Sequence, residues 1–244
     1  MIKGVLFDKD GTLIPFQEFW HSIYADFFHS LQYEWLIPDE VVSDLKTVSG
    51  FNETHFEKES LLQHASTRQL LRLWETRLAL HCRPDGTRCS YEKLSDLLSY
   101  HSTWPHRPIS PLPGVVSTLY ALEKSGIRLG IATADTLSST RFTLSQAGLL
   151  SSFHFIGADD TVSAGKPSPE IARAFFHQEG LHPREVVVVG DSLSDLAFAM
   201  QAGTQFIGLD TPYNDSDGFR KAGALTVKRF DDILPLIITW GMVS

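Results

Sequence analysis

Four consecutive valines, Val186–Val189, constrain this chain more than any other feature. β-branched side chains suit a pleated, packed surface. A strand with no polar alternation has no face to give to water, so it belongs inside a parallel sheet covered on both sides. Parallel neighbours need long crossovers, usually helices, and the surrounding sequence supplies them. Val115–Lys124 reads as a helix that ends at Gly126, and Ile127–Ala132 as a strand. Ser138–Ala147 is a helix closing at Gly148, followed by a short strand Phe153–Ile156. Ser168 and Pro169 have the cap-then-proline pattern of a helix start, and that helix runs to Gly180. After the valines, a helix from Leu193 or Ser194 to Ala202 closes at Gly203. A strand Gln205–Gly208 and a final strand and helix to about Trp240 complete the pattern. Strands alternating with helices in this way imply βαβ units and a doubly wound sheet.

The first strand of that sheet stands apart from the rest. Ile2–Phe7 is a near-continuous apolar run, but the next hundred residues carry almost no strand signal. Apolar residues recur there at helical spacing: Phe19, Ile23, Phe27 and Leu31, then Leu70, Leu71, Trp74 and Leu78, then Leu94, Leu97 and Leu98. This spacing predicts helices with an apolar stripe facing a core. The proline-rich stretch Trp104–Gly114 suits neither helix nor sheet and reads as a boundary. The 244 residues therefore divide into a core of 1–15 and 110–244 and an inserted all-helical segment of 16–109. A chain of this length can hold one large domain or a core with an insert.

Composition excludes several functions. The hydrophobic and charged fractions, 43% and 20%, are those of an ordinary globular protein. A net charge of -8 argues against a nucleic-acid scaffold, which wants clustered Lys and Arg. Any anionic ligand has to be drawn in by a local site or a bound cation. Cys82 and Cys89 match no common zinc spacing and read as free thiols. The ten histidines, among them His21, His29, His55, His64, His101 and His106, offer no convincing metal register and read as solvated or hydrogen-bonded. The chain opens on a strand and not on a basic-apolar leader, and no apolar run reaches membrane-spanning length. The expectation is a soluble, cytoplasmic protein.

In open parallel sheets, ligands bind beyond the carboxyl ends of the strands. The polar residues there are few. Strand one ends in Asp8 with Asp10 just beyond; Ile127–Ala132 ends in Thr133; the valine strand runs through Gly190 into Asp191, with Asp195 following. Gly165-Lys166-Pro167 forms a loop leading into a helix. Acids brought close repel unless a cation lies between them, and carboxylate oxygens are what Mg²⁺ takes. A lysine beside them can neutralise a phosphate oxygen or restrain a nucleophilic carboxylate, and carboxylates do act as nucleophiles in aspartyl-phosphate chemistry. Phe7–Leu13 alone is also compatible with a simple turn. Asp135, two past Thr133, suits a loop or cap role, and Gly50–Thr54 suits either a substrate-facing loop or a helix connection.

Asp8-Lys-Asp-Gly-Thr12 resembles the D-x-D-G-T signature of the haloacid dehalogenase-like (HAD) superfamily. Thr133, Gly165-Lys166-Pro167 and Gly190-Asp-Ser-x-x-Asp195 resemble its later motifs, in the same order. The helical insert resembles the C1 cap of the phosphoglycolate phosphatase-like branch. The resemblance implies an α/β fold with a Rossmann-like parallel core and an inserted cap. It implies Asp8 as nucleophile and Asp10 as general acid/base. Mg²⁺ would be held by Asp8, the Asp10 backbone carbonyl and Asp191. Phosphate would be bound by Asp8, Asp10, Gly11, Thr133, Ala134 and Lys166, with Asp195 in support. The cap would close over the site on hinges near Pro15 and Pro108–Pro113.

Asp10 also selects among the family's reactions. Dehalogenases lack the second aspartate, and phosphonate-cleaving members usually replace it and use a cap lysine, for which Lys46, Lys58 and Lys93 would be available. The expectation is hydrolysis of a small phosphate monoester, with 2-phosphoglycolate suggested by the branch. A sugar phosphomutase is the enzymatic alternative. A non-catalytic, receiver-like phosphate-binding module is the alternative of another class, disfavoured because Asp8, Asp10 and Asp191 are all present. The expected partner is a small phosphorylated metabolite, with no nucleic acid or membrane, in a monomer or homodimer.

Overall fold

The computed structural model describes residues 1–57, 60–103, 109–210 and 216–242. The chain divides into two compact units, Met1–Pro15 with Pro108–Ser244, and Phe16–Arg107. The second crossing thus falls two residues before the boundary read from the sequence. Trp104–Pro108 of the proline-rich stretch, with His106, and Lys58 lie outside the described residues.

The first unit holds a six-stranded parallel sheet. Its strands are β1 (Gly4–Phe7), β2 (Arg128–Ala132), β3 (Phe155–Gly157), β4 (Val186–Gly190), β5 (Gln205–Leu209) and β6 (Leu225–Val227), in the order β3-β2-β1-β4-β5-β6. β1 lies between β2 and β4, with Phe7 beside Ile131 on one side and Val189 on the other. The chain winds outward from β1 first one way and then the other, so the switch point falls at β1 and β4, where ligands bind in this class of sheet. Among the described residues six helices accompany the sheet: α6 (Val115–Lys124), α7 (Leu137–Gln146), α8 (Glu170–Glu179), α9 (Leu193–Ala202), α10 (Ser216–Lys221) and α11 (Ile233–Met242).

The valines behave as their composition requires, and Val186–Val189 are all buried. Successive side chains in a strand point to opposite faces. Leu6 joins Ile171, Phe175, Phe198 and Val188 in one apolar layer. Phe7 instead stacks on Phe230 at 5.7 Å and meets Phe153 edge-on at 6.3 Å. The sheet is therefore covered on both faces.

One helix start needs correction, and one helix was not expected. α8 begins at Glu170, with Pro169 as its cap residue and no side-chain cap bond. Ser168 is used instead in a turn, its N–H donating to the Gly165 carbonyl at 2.9 Å. α10 was not expected; at six residues it is too short to show a helical period, and Phe219 is its buried anchor. The first strand is shorter than Ile2–Phe7, although Lys3 already pairs with Glu185 and Arg128 through its backbone.

The second unit consists of α1 (Phe16–Tyr33), α2 (Asp39–Ser49), α3 (Leu61–His64), α4 (Thr67–Arg77) and α5 (Tyr91–Ser102), with isolated bridges at Phe51–Phe56 and Cys82–Arg88. Its core is aromatic. Trp74 stacks on Phe27 at 4.7 Å and meets Phe28 and Tyr24 edge-on, and its indole N–H donates to Ser49 Oγ at 2.8 Å. His101 is buried against Ser30 at 3.0 Å. The Gly50–Thr54 segment is tied down within this unit. Phe51 stacks on the His21 ring at 4.9 Å, and the Asn52 carbonyl is 2.8 Å from His21 Nε2.

Candidate active site

The carboxyl ends of β1, β2 and β4 bring most of the expected residues together. Asp8 continues β1, its N–H bonding the Val189 carbonyl at 2.8 Å, and Asp191 follows the last residue of β4. Lys166 arrives from the loop before α8. Its Nζ lies 2.6 Å from Asp8 Oδ1 and 2.6 Å from Asp195 Oδ1. Asp195 is both a helix-start residue and a site residue. Its Oδ2 accepts from Ser192 Oγ at 2.6 Å, and with Ser192 it forms the capping box of α9. Gly190 makes this possible, because a Cβ there would collide with the Asp195 carboxylate.

The charges in this group do not balance. Asp8, Asp191 and Asp195 face Lys166; Asp8, Asp195 and the Lys166 side chain are shielded from water, and Asp191 is half-buried. Burial pushes the Asp8 carboxyl up to about 7; Lys166 opposes that shift, and Asp195 and Asp10 add to it. Burial, then Asp8 and Asp195, hold Asp191 well above the carboxylate range. For Lys166, burial acts downward, but Asp195 and Asp8 outweigh it and hold the ammonium above its usual range. Two carboxyls that resist ionisation side by side are a place where a cation is stabilising.

The donor set fits a hard divalent ion. Asp8, Asp191 and Asp195 each present an oxygen within 4.8 Å of the others. Both oxygens of Asp195 are already engaged by Lys166 and Ser192, which leaves Asp8 and Asp191 as the acids to hold Mg²⁺. Among the described residues this is the one cluster of potential ligands. Gly11 packs against Asp191: its φ is 83°, and any Cβ would overlap the Asp191 carboxylate.

The remaining expected residues are placed with one correction. Thr133 is buried at the end of β2, its N–H on the Gly157 carbonyl at 3.0 Å and its Oγ1 accepting the Asp135 N–H at 3.1 Å. Ala134 follows it, half-buried. Gly11 was expected among the phosphate-binding residues; its N–H donates to the Ile14 carbonyl at 2.8 Å. The tight turn between Asp10 and Ile14 uses up that donor, so the contribution of Gly11 is the space it leaves for Asp191. Thr12 Oγ1 is buried with no hydrogen-bond partner, and nothing in the structure explains it.

A second charged group was missed in the sequence. Lys9, between the two aspartates of the first motif, has no exposed surface. Its Nζ lies 3.1 Å from Asp10 Oδ1, 2.9 Å from Asp10 Oδ2 and 2.9 Å from Asp135 Oδ2. Burial acts to lower Lys9, yet Asp10 and Asp135 hold it above its usual range. Asp135 lies in the loop between β2 and α7, as read, and is in addition a buried ion-pair partner. The available signal was a lysine directly after a buried strand, where it has no route to solvent.

Known proteins resemble this chain over most of its length. Residues 2–203 match the family described as "Hydrolase: haloacid dehalogenase-like hydrolase". The chain is 33% identical over 218 residues to "Probable phosphatase IndB" of Dickeya dadantii (strain 3937), covering 89% of this chain and 85% of that protein. It is 26% identical over 241 residues to "Pyrophosphatase PpaX" of Bacillus pumilus (strain SAFR-032), covering 97% and 96%. Among solved structures it resembles CbbY from Rhodobacter sphaeroides in complex with phosphate, with a TM-score of 0.68, 25% identity and 96% of each chain covered.

Proposed function

The chain belongs to the haloacid dehalogenase-like hydrolases, and on that premise we propose that it is a Mg²⁺-dependent phosphatase acting on a small phosphate monoester through an aspartyl-phosphate. The observation that carries the reading is Asp8. This buried carboxylate at the end of β1 is held by Lys166 at 2.6 Å and faces Asp191 in a group with surplus negative charge. An isolated structural aspartate would not need such surroundings.

In the proposed reaction Asp8 attacks phosphorus and the ester oxygen leaves with a proton from Asp10. Water then attacks the aspartyl-phosphate and Asp10 takes the proton back, restoring both acids. Lys166 binds a phosphate oxygen and fixes Asp8, with Asp195 holding Lys166 in place. Thr133 and the backbone at Ala134 hold further phosphate oxygens. Asp8, Asp191 and the Asp10 carbonyl would hold Mg²⁺, which when bound offsets the charge of the carboxylates and of the phosphate. Residues 1–15 and 110–244 act as the catalytic core in this proposal, and 16–109 as the cap. All the residues given a role lie in the first unit.

The organic part of the substrate is the finer question. 2-Phosphoglycolate is carried forward from the resemblance. The relative named a pyrophosphatase adds inorganic pyrophosphate to the compounds worth testing. A cytoplasmic setting belongs to the same proposal, supported by the free thiols Cys82 and Cys89. No helix among the described residues is long and apolar enough to cross a membrane. The test is phosphate release from 4-nitrophenyl phosphate and a panel of phosphorylated metabolites, with and without Mg²⁺, in wild type and Asp8→Asn. Release by wild type alone, dependent on Mg²⁺, is expected. A wild type inactive on every compound sinks the reading, and transfer to a second hydroxyl without release would make it a mutase.

A further inference from the structure

Lys9 has no role in the scheme above, yet it is fully buried within contact of the proposed acid/base. Burying an ammonium is costly unless it is paired, and replacing a buried ion pair by apolar residues of similar size is often neutral or stabilising. Burial alone therefore does not account for a charge at this position. The contacts show what the charge does. One Nζ reaches both carboxylate oxygens of Asp10, at 3.1 and 2.9 Å, so rotation of that carboxylate would break two contacts at once. The same Nζ is held at 2.9 Å by Asp135 Oδ2. Asp135 is itself fixed: its Oδ1 accepts the Thr136 N–H at 2.7 Å and its own N–H donates to Thr133 Oγ1 at 3.1 Å. The end of β2 is thereby linked through two buried charges to the Asp10 side chain, which is 14% exposed.

We propose that Lys9, anchored by Asp135, is a positioning residue that locks the Asp10 carboxyl in the orientation from which it passes a proton to the leaving oxygen. Lys9 does not touch substrate; it acts through Asp10. The inference rests on the phosphatase reading. A carboxyl free to turn would still be present, but would spend less time aligned with the oxygen it must protonate, and general acid catalysis depends on that alignment.

The effect should depend on how much the leaving group needs a proton, which mere loss of stability would not. The experiment measures kcat/KM for a series of aryl phosphates from 4-nitrophenyl through phenyl to 4-methoxyphenyl, with wild type, Lys9→Met, Asp135→Asn and the double variant. General acid catalysis contributes roughly 10²–10⁴-fold, and losing alignment should cost part of it. Lys9→Met should lose at least ~10-fold on 4-methoxyphenyl phosphate and under ~3-fold on 4-nitrophenyl phosphate, which steepens the leaving-group dependence. Asp135→Asn should change the slope in the same direction but less. In the Lys9→Met background it should cost nothing further, because its action passes through Lys9. Should Lys9→Met fail to fold, Asp135→Asn carries the same slope test, since it keeps the side-chain volume. A uniform loss across the series, or none, with an active wild type overturns the positioning role alone. A wild type inactive on the whole series overturns the phosphatase reading and this inference with it.

Discussion

The two units bury polar groups in opposite ways. In the helical unit the buried polar atoms around Trp74 are neutral, and the indole N–H has its acceptor in Ser49. His101 is matched by Ser30 in the same unit. At the carboxyl ends of β1 and β4 the buried groups are charged, and acids outnumber lysines. The first arrangement is what stability favours, since the buried polar atoms around Trp74 and His101 are neutral and paired. The second opposes stability, because Asp8 and Asp191 are both held above the range in which carboxyls ionise. A fold keeps such a group where something else makes use of it. The contrast supports the proposal that the chemistry lies in the first unit, without reference to any motif.

Four changes would break or sharpen this contrast. The largest effect should come from Asp8→Asn, which removes the nucleophile and should lower phosphate release by at least ~10³-fold. The same variant should be more stable than wild type in EDTA near pH 7.5, as measured by urea unfolding. If it is less stable there, the charge surplus is not a cost and the contrast fails. In the helical unit, Trp74→Ala should cost roughly 3–5 kcal/mol, the range for truncating a fully buried aromatic side chain. Chemical denaturation measures this directly.

The third change is pH. Burial holds the Asp8 carboxyl of the folded protein up at about 7, above its ordinary value of 3.8. Between about pH 4 and 7 the folded state therefore holds a proton that the unfolded state has released. Stability contributed by this group is present at low pH and lost as pH rises through that window. Asp191 shifts in the same direction. The difference in stability between Asp8→Asn and wild type, without metal, should grow by a few kcal/mol from pH 4.5 to 7.5. Saturating Mg²⁺ should reduce that growth; a difference unchanged by pH would remove the electrostatic account. The smallest effect should come from Ser49→Ala, which leaves the Trp74 indole N–H unpaired and should cost about 1–2 kcal/mol. The midpoint of urea unfolding reads it.

Much of the core was legible because its signals are local. Four valines in a row allow no exposed face, and glycines at Gly180 and Gly203 end α8 and α9 with positive φ where expected. α10 was not legible, since six residues do not complete two helical turns. The start of α8 was misplaced because Ser168 and Pro169 suit a cap and a turn equally well, and only the Gly165 carbonyl decides between them. In the site, Asp8, Lys166, Asp191 and Asp195 could be named because each stands beside a strand end or a loop entering a helix. The partnership of Lys9 with Asp135 could not, because a separation of 126 residues leaves no trace in local spacing.

The sequence by itself determined where the strands lie to within a residue or two, which strand ends carry acids, and that a helical insert separates β1 from the rest. Those properties follow from side-chain shape and period, which act over a few residues. Tertiary structure alone decided how the charges are shared. It set Lys166 between Asp8 and Asp195, brought Asp191 close to Asp8, and turned Lys9 onto Asp10. Coulomb energies and desolvation depend on distance and burial, and for groups this far apart in the chain both exist only once the sheet has assembled.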